Sequence, residues 1–120
     1  LTLTKEVVLA QVPGRTLDIM VAEEVMGFRY KYVERYNVFM WVKSETECTS
    51  WFPASTDIAV AWEVVEKMRE MGVYLNIHAD KDTYYVLGLV SSESAPEAIC
   101  KAALIAIIYM KNDANNRQPV

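Results

Sequence analysis

Ser94-Ala95-Pro96-Glu97-Ala98-Ile99-Cys100-Lys101-Ala102-Ala103-Leu104-Ile105-Ala106-Ile107-Ile108-Tyr109-Met110-Lys111 is the stretch that decides the fold. Ser94 and Glu97 have the Ser-x-x-Glu spacing of a capping box, and Pro96 sits in the first turn, where no amide donor is missed. The spacing predicts a helix over 95–111. From Ala102 to Met110 every residue is apolar. A helix that is apolar all round must be covered on several sides, by other helices or by a second subunit. The run falls well short of the ~18–20 residues of a membrane span, so no membrane is expected as a partner.

Three more helices precede it. Asp57 to Met71 reads clearly, with Thr56 as its cap and Asp57 complementing the dipole. Ile58, Ala61, Trp62, Val65 and Met68 follow helical spacing and are expected to form its core stripe. Glu63 and Lys67 make an i, i+4 pair on the other side. Thr4 to Gln11 is short, with Thr4 as cap and Leu3 and Val8 placed for a hydrophobic staple. Thr16 to Met26 is capped by Thr16, and its acids Asp18, Glu23 and Glu24 point in different directions, so it is expected to pack on more than one side. Gly27 and Gly72 follow the last turns of two helices, where a left-handed residue suits glycine.

The strands come as two pairs. Phe28 to Val33 and Val38 to Val42 flank a turn near Glu34 to Asn37. Val73 to Ala79 alternates, and Thr83 to Val90 returns after a turn at Asp80 to Asp82. Tyr85, Leu87 and Leu89 lie on one face of that last strand, Tyr84, Val86 and Val90 on the other, which suggests a sheet between helical layers. The expected class is α+β: a single-domain α/β/α sandwich over 1–111, with a mainly antiparallel four-stranded sheet, helices on both faces and the order α-α-β-β-α-β-β-α. The tail, 112–120, is expected to fray. Trp62, Val65, Ile99, Ala103 and Ile107 are expected to be buried.

The chain has 120 residues, 52% apolar and 23% charged, with a net charge of −4. That balance excludes disorder as the main state and suits one domain. Cys48 and Cys100 are the only cysteines, which is not a disulfide framework and fits a reducing cytoplasm. No secretory signal is visible in these residues.

Three blocks in this order are distinctive together. They are Pro13-Gly14-Arg15-Thr16-Leu17-Asp18 leading to Val21-Ala22-Glu23-Glu24-Val25-Met26-Gly27; Ser55-Thr56-Asp57-Ile58-Ala59-Val60-Ala61-Trp62-Glu63-Val64-Val65-Glu66-Lys67-Met68; and Glu93-Ser94-Ala95-Pro96-Glu97-Ala98-Ile99-Cys100-Lys101-Ala102-Ala103-Leu104. The chain resembles the phage ABA sandwich domain family, small proteins of Bacillus and Clostridium phages and prophages. The resemblance spans roughly residues 4 to 110. It implies an α/β/α sandwich and a phage or prophage origin, and it carries no activity, cofactor or catalytic residue. Phe28 stands where the family more often has Trp, Lys101 where it more often has Arg. Ser91 to Ser94 is more polar than usual, and Ser44 to Pro53 is an unusual insert.

Catalytic motifs are absent: no Gly-rich phosphate loop, no G-x-S-x-G, no H-E-x-x-H, no C-x-x-C and no acidic Ca²⁺ loop. No metal and no cofactor is expected. His78 is the single His, the residue type whose charge changes near neutral pH. It shares an outward strand face with Asn76 and Asp80. A satisfied polar strand face is the plainer reading; a small hydrolase or nucleotide-handling site using His78 with Asp80 is the sharper one. Phe28 to Tyr36 interleaves basic and aromatic residues, but alternation puts Arg29 and Lys31 opposite Phe28, Tyr30 and Tyr32. The rings then read as core and the bases as a solvated face, and with a sequence pI of about 5.0 nucleic acid is not the favoured partner. Trp51 and Phe52 lie in a polar loop, where rings either cap the core or anchor a partner. Cys100 reads as a small core residue.

The expected function is that of a phage or prophage accessory protein, non-enzymatic and cytoplasmic in a bacterial host. It binds a host or phage protein or a small ligand, with Trp51, Phe52, His78 and Asp80 as candidate contact residues. The hydrolase and a nucleic-acid-binding accessory protein are the alternatives. The apolar surplus also predicts a homodimer, through the hairpin edge Val38 to Val42 and the rings Trp51 and Phe52.

Overall fold

In the computed structural model, which describes residues 3–116, the apolar run of the last helix is the axis on which the rest is packed. The elements in chain order are α1 (Lys5–Leu9), α2 (Arg15–Glu24), β1 (Arg29–Val33), β2 (Val38–Val42), β3 (Cys48–Thr49), α3 (Ile58–Glu70), β4 (Ile77–Ala79), β5 (Tyr84–Val86), β6 (Val90–Ser92) and α4 (Ala95–Asn116). The class is α+β. α4 is buried without a break from Ala98 to Ile107, and α1, α2, α3, β5 and β6 all pack against it. Ile99, Ala103 and Ile107 are core residues as expected. Beyond them Tyr109 and Met110 emerge to solvent, so the run is wet at its far end. The helix continues to Asn116, past the position where fraying is expected; 117–120 lie outside the described residues.

The strands do not form one four-stranded sheet. They form two three-stranded antiparallel sheets, ordered β1-β2-β3 and β4-β5-β6. Two short pairings cause this. Cys48 and Thr49, in the expected loop, add β3 to the edge of β2. The expected strand over 83–90 folds back on itself at Leu87 (φ 56°) and Gly88 (φ 65°). The Leu89 amide donates to the Val86 carbonyl at 3.0 Å, which closes a tight turn whose two central residues are left-handed. Leu rarely adopts that conformation, so the Leu-Gly pair reads as strand in the sequence. Of the strand expected over Val73 to Ala79 only Ile77–Ala79 forms, as β4; Leu75 before it is buried, whereas Ile77 and Ala79, expected inward, are exposed.

The helix ends explain themselves with small revisions. Thr4 caps α1, its hydroxyl accepting from the Val7 amide at 3.2 Å, and Leu3 and Val8 both join the core. α2 begins after Gly14 without a side-chain cap, so Thr16 lies inside it. Asp57, not Thr56, caps α3, accepting from Ala59 at 2.9 Å and Val60 at 3.4 Å. Gly27 (φ 72°) and Gly72 (φ 84°) are left-handed past their helices. Ser94 precedes α4 as expected, but the reciprocal box is rewired. The Ser92 hydroxyl accepts from the Ser94 amide at 3.0 Å and donates to Glu97. The other Glu97 oxygen pairs with Lys101 at 2.8 Å. Lys101 is 7% exposed and also donates to the Leu9 carbonyl at 3.1 Å. A cation there satisfies the end of α1 and ties it to α4.

α3 is turned relative to its expected stripe. Ala61, Val64 and Met68 are its buried residues, whereas Ile58 is 52% and Trp62 51% exposed and Val65 only half-buried. The buried arc sits about 60° around the helix from the predicted one, at 100° per residue. Ala61, Val64 and Met68 turn to the core that α3 shares with α4, and Ile58, Trp62 and Val65 are left at the rim. Lys67 pairs with Glu70 at 4.0 Å and Arg69 with Glu66 at 3.5 Å, both i, i+3, in place of the expected Glu63–Lys67 pair.

Candidate binding face

β1, β2 and β3 make their extensive contacts as elements only with one another. The register pairs Tyr30 with Trp41 and Tyr32 with Phe39, and on the opposite face Arg29 with Val42, Lys31 with Met40 and Val33 with Val38. Side chains alternate along a strand, so all four rings share one face. They form a continuous ladder: Tyr32 to Phe39 at 5.5 Å, Phe39 to Tyr30 at 5.6 Å and Tyr30 to Trp41 at 4.9 Å between centroids. The expectation that Phe28, Tyr30 and Tyr32 are core holds in part for Phe28, which packs against the core, and fails for Tyr30 and Tyr32. Tyr30, Tyr32 and Phe39 are exposed at 47%, 47% and 57%, and only Trp41 is buried. Among the described residues no helix makes extensive contact with β1, β2 or β3, and the phenol oxygens tolerate water. The Tyr32 hydroxyl is satisfied by Asn37 at the hairpin turn. The separation of Arg29 and Lys31 from Tyr30 and Tyr32 holds, whereas the Arg35 guanidinium lies 4.8 Å from the Tyr36 ring and the Lys43 ammonium 5.5 Å from the Phe28 ring.

At the inner end of the ladder Trp41 opens into a concavity of about 220 Å³ between α2 and the 50–56 loop, where Arg15, Asp18 and Trp51 also line the wall. Ser55, next in the chain to Thr56 of that wall, is fully buried. The Ser55 hydroxyl accepts from the Gly14 amide at 2.8 Å and lies 3.3 Å from the Gly14 carbonyl, while the Ser55 amide donates to Asp18 Oδ1 at 2.7 Å. The first two blocks quoted above are thus buckled to each other. Phe52 folds inward, 5% exposed, and meets Phe28 edge-on at 5.2 Å. Trp51 turns outward at 71% exposure. Of the two loop rings, Phe52 therefore caps the core and Trp51 does not.

A family model described as the phage ABA sandwich domain matches residues 19–104. The chain belongs to the phage ABA sandwich domain family. The match takes in both sheets, α3 and the first half of α4, so it covers the ring ladder, Trp51 and Phe52, whereas Gly14 and Arg15 precede it. Comparison with the curated proteins and with the solved structures found no match.

The other candidate residues of the domain lie elsewhere, on the β4-β5-β6 sheet. His78 faces Tyr85 across the β4–β5 ladder, with ring centroids 6.4 Å apart, and is exposed. Asp80 is exposed at the end of β4. Its Oδ1 accepts from the Asp82 amide at 3.0 Å and the Thr83 amide at 2.9 Å, and its Oδ2 from the Tyr85 hydroxyl at 3.2 Å. Those bonds, the two amides first, hold its carboxyl below the usual carboxylate range, with a smaller contribution from His78. Its acceptor capacity is committed to holding the turn. His78 and Asp80 do not meet Trp51 and Phe52 at one site.

Cys48 and Cys100 are both free. Burial, with Asp18 adding to it, pushes the Cys100 thiol far up, so it stays a neutral core group. No helix among the described residues is long and apolar enough to cross a membrane. Sequence reasoning missed the exposure of Tyr30 and Tyr32 on β1. The signal was their type: three of the four hairpin rings from Tyr30 to Phe39 are Tyr, a side chain with a wet end, where a covered sheet face favours Val, Ile and Leu.

Proposed function

We propose that this phage-family protein is an accessory protein that acts by binding in the bacterial host cytoplasm, and that its contact surface is the aromatic face of the β1-β2-β3 sheet together with Trp51. The observation that carries the reading is the exposure of Tyr30, Tyr32, Phe39 and Trp51 along one continuous surface. Monomeric proteins seldom leave a contiguous aromatic patch uncovered unless something docks there. Rigid rings lose little entropy on docking and dominate contact energies. The core does not need them, because the buried side chains converge on α4 instead. His78 sits on an open strand and Asp80 is spent on a turn, which favours binding over hydrolysis at that pair.

The test is a capture experiment from infected host lysate, with the wild type against Phe39→Ser/Trp51→Ser, alongside a thermal-shift screen with nucleotides. The reading expects a partner or ligand retained by the wild type and lost by the double variant, which still folds. Turnover of an ester, phosphodiester or nucleotide that disappears in His78→Ala would contradict it.

A further inference from the structure

Both walls of the concavity between α2 and the 50–56 loop are fixed from behind. The Ser55 amide holds Asp18 Oδ1 at 2.7 Å, and the Ser55 hydroxyl accepts from the Gly14 amide at 2.8 Å. On the loop side the Thr49 hydroxyl donates to the Trp51 carbonyl at 2.9 Å and accepts from the Trp51 amide at 3.3 Å. The exposed indole of Trp51 is therefore carried on a backbone that is held.

Three groups of the wall are unspent. Arg15 is exposed and enters no ion pair among the described residues. Asp18 has committed Oδ1, whereas no hydrogen bond to its Oδ2 forms among the described residues. No fully buried side-chain oxygen or nitrogen among them lacks a partner, so the free Oδ2 of this half-buried residue is open to solvent. The Trp51 ring enters no aromatic pair among the described residues. Arg15 and Asp18 stand three apart on α2, where Cβ atoms are ~5–6 Å from each other. They form no ion pair with one another; the carboxylate is held by the loop instead.

We propose that this concavity binds a guanine base, as the free nucleoside or nucleotide, stacked on Trp51 and read by Arg15 and Asp18. This rests on the reading of Trp51 as a contact residue and names the ligand at that end of the surface. The charged side chains of the wall are one cation and one anion. A ligand of either net charge would meet a like charge there, whereas a neutral ring with acceptors and donors on adjoining edges satisfies both. Guanine offers that pattern. Its O6 and N7 acceptors lie side by side and are the commonest base partner of an arginine fork. Its N1–H and N2–H donors follow on the next edge, where a carboxylate oxygen accepts. Adenine has a single amino group beside N7, so each of the two side chains would make fewer bonds to it. Stacking on an indole face holds any base, and the two edges supply the choice. Size points the same way. The concavity of about 220 Å³ is smaller than the ~300–1,000 Å³ of sites that enclose drug-sized ligands, so the base enters and the ribose and phosphate stay in solvent.

The experiment is an amide and indole NMR titration of the whole chain with guanosine, guanosine monophosphate, adenosine, cytidine and L-phenylalanine. The wild type is expected to shift the Trp51 indole and the amides of 15–19 and 50–56 on adding guanosine. The monophosphate is expected to bind equally, and adenosine and cytidine at least roughly tenfold more weakly. Trp51→Ser, Arg15→Gln and Asp18→Asn, followed by their amides, are each expected to weaken guanosine at least roughly tenfold. Asp18→Asn keeps an oxygen for the Ser55 amide and turns the free acceptor into a donor. The α4 amide pattern checks each fold, and Trp51→Ser and Arg15→Gln change exposed side chains should Asp18→Asn unfold. Phe39→Ser is expected to bind guanosine as the wild type does. No shift at millimolar guanosine overturns the proposal, as does equal binding of adenosine, preference for L-phenylalanine, or wild-type affinity in Trp51→Ser or Arg15→Gln. A monophosphate bound far more tightly than guanosine overturns it too, because Arg15 would then hold the phosphate. If guanosine is silent while Phe39→Ser/Trp51→Ser still loses a captured partner, this inference falls and the contact-surface reading stands; if both tests are silent, both fall.

Discussion

The α4 half and the β1-β2-β3 half both carry large apolar side chains, yet one buries them and the other leaves Tyr30, Tyr32 and Phe39 exposed. Around α4, five elements converge and leave Leu104, Ile105 and Ile99 without any exposure. On the hairpin, the three outer rings touch one another and little else. The difference lies in what stands opposite. A helix that is apolar all round recruits partners on every side, whereas a short two-faced hairpin with cations on its reverse can be covered on one face only. Apolar content therefore marks stability in one half and contact in the other.

The largest effect is expected at the axis. Leu104→Ala removes a fully buried side chain where five neighbours cannot all collapse, and is expected to cost ~2–5 kcal/mol in urea unfolding. A loss under ~1 kcal/mol would mean α4 is not the core's centre.

Next comes the buckle between the halves. Ser55→Ala removes the buried hydroxyl to which the half-buried Gly14 amide donates and is expected to cost ~1 kcal/mol, the net worth of a typical hydrogen bond. Its companion effect is local: Trp51 fluorescence shifts as the 50–56 loop loosens, while the α4 contacts keep their protection from hydrogen exchange. Equal loss of protection in both halves would show that they do not differ in this way.

A smaller effect is expected from acid. Partial burial opposes ionisation of Glu97, but the hydrogen bonds from Lys101 and Ser92 and the ammonium charge outweigh it and hold the carboxyl below its usual value. A folded-state value below the unfolded one gives stability that is present above the unfolded value and lost as pH falls through the folded one. Stability is therefore expected to decline between about pH 5 and pH 3, and the decline should be shallower in Glu97→Gln. Asp80 adds to it in the same direction at the β4–β5 turn. An acid limb unchanged by Glu97→Gln would remove this pair from the α4 account.

Much of this was legible in the sequence. The four helices, both hairpins and the burial of Ile99, Ala103 and Ile107 follow from periodicity and caps. The misses share a cause. Trp62 satisfies helical spacing, but Ala61, Val64 and Met68 turn to the core instead, and packing rather than spacing chose the arc. Leu87 turns left-handed because the pairing of Val86 with Val90 requires it, and no local residue announces that. Whether Tyr30 and Phe39 are covered depends on what crosses above them, which is a tertiary fact. For the same reason Phe52 and Trp51, neighbours in sequence, could not be told apart before their surroundings were known.

The most direct test is to compare Phe39→Ala with Leu104→Ala by equilibrium urea unfolding. If the hairpin rings are contact surface and the α4 side chains are core, Phe39→Ala costs about 1 kcal/mol or less, the worth of its ring contacts, against ~2–5 kcal/mol for Leu104→Ala. A Phe39→Ala cost equal to that of Leu104→Ala would contradict the division of the molecule into a buried half and a displayed one.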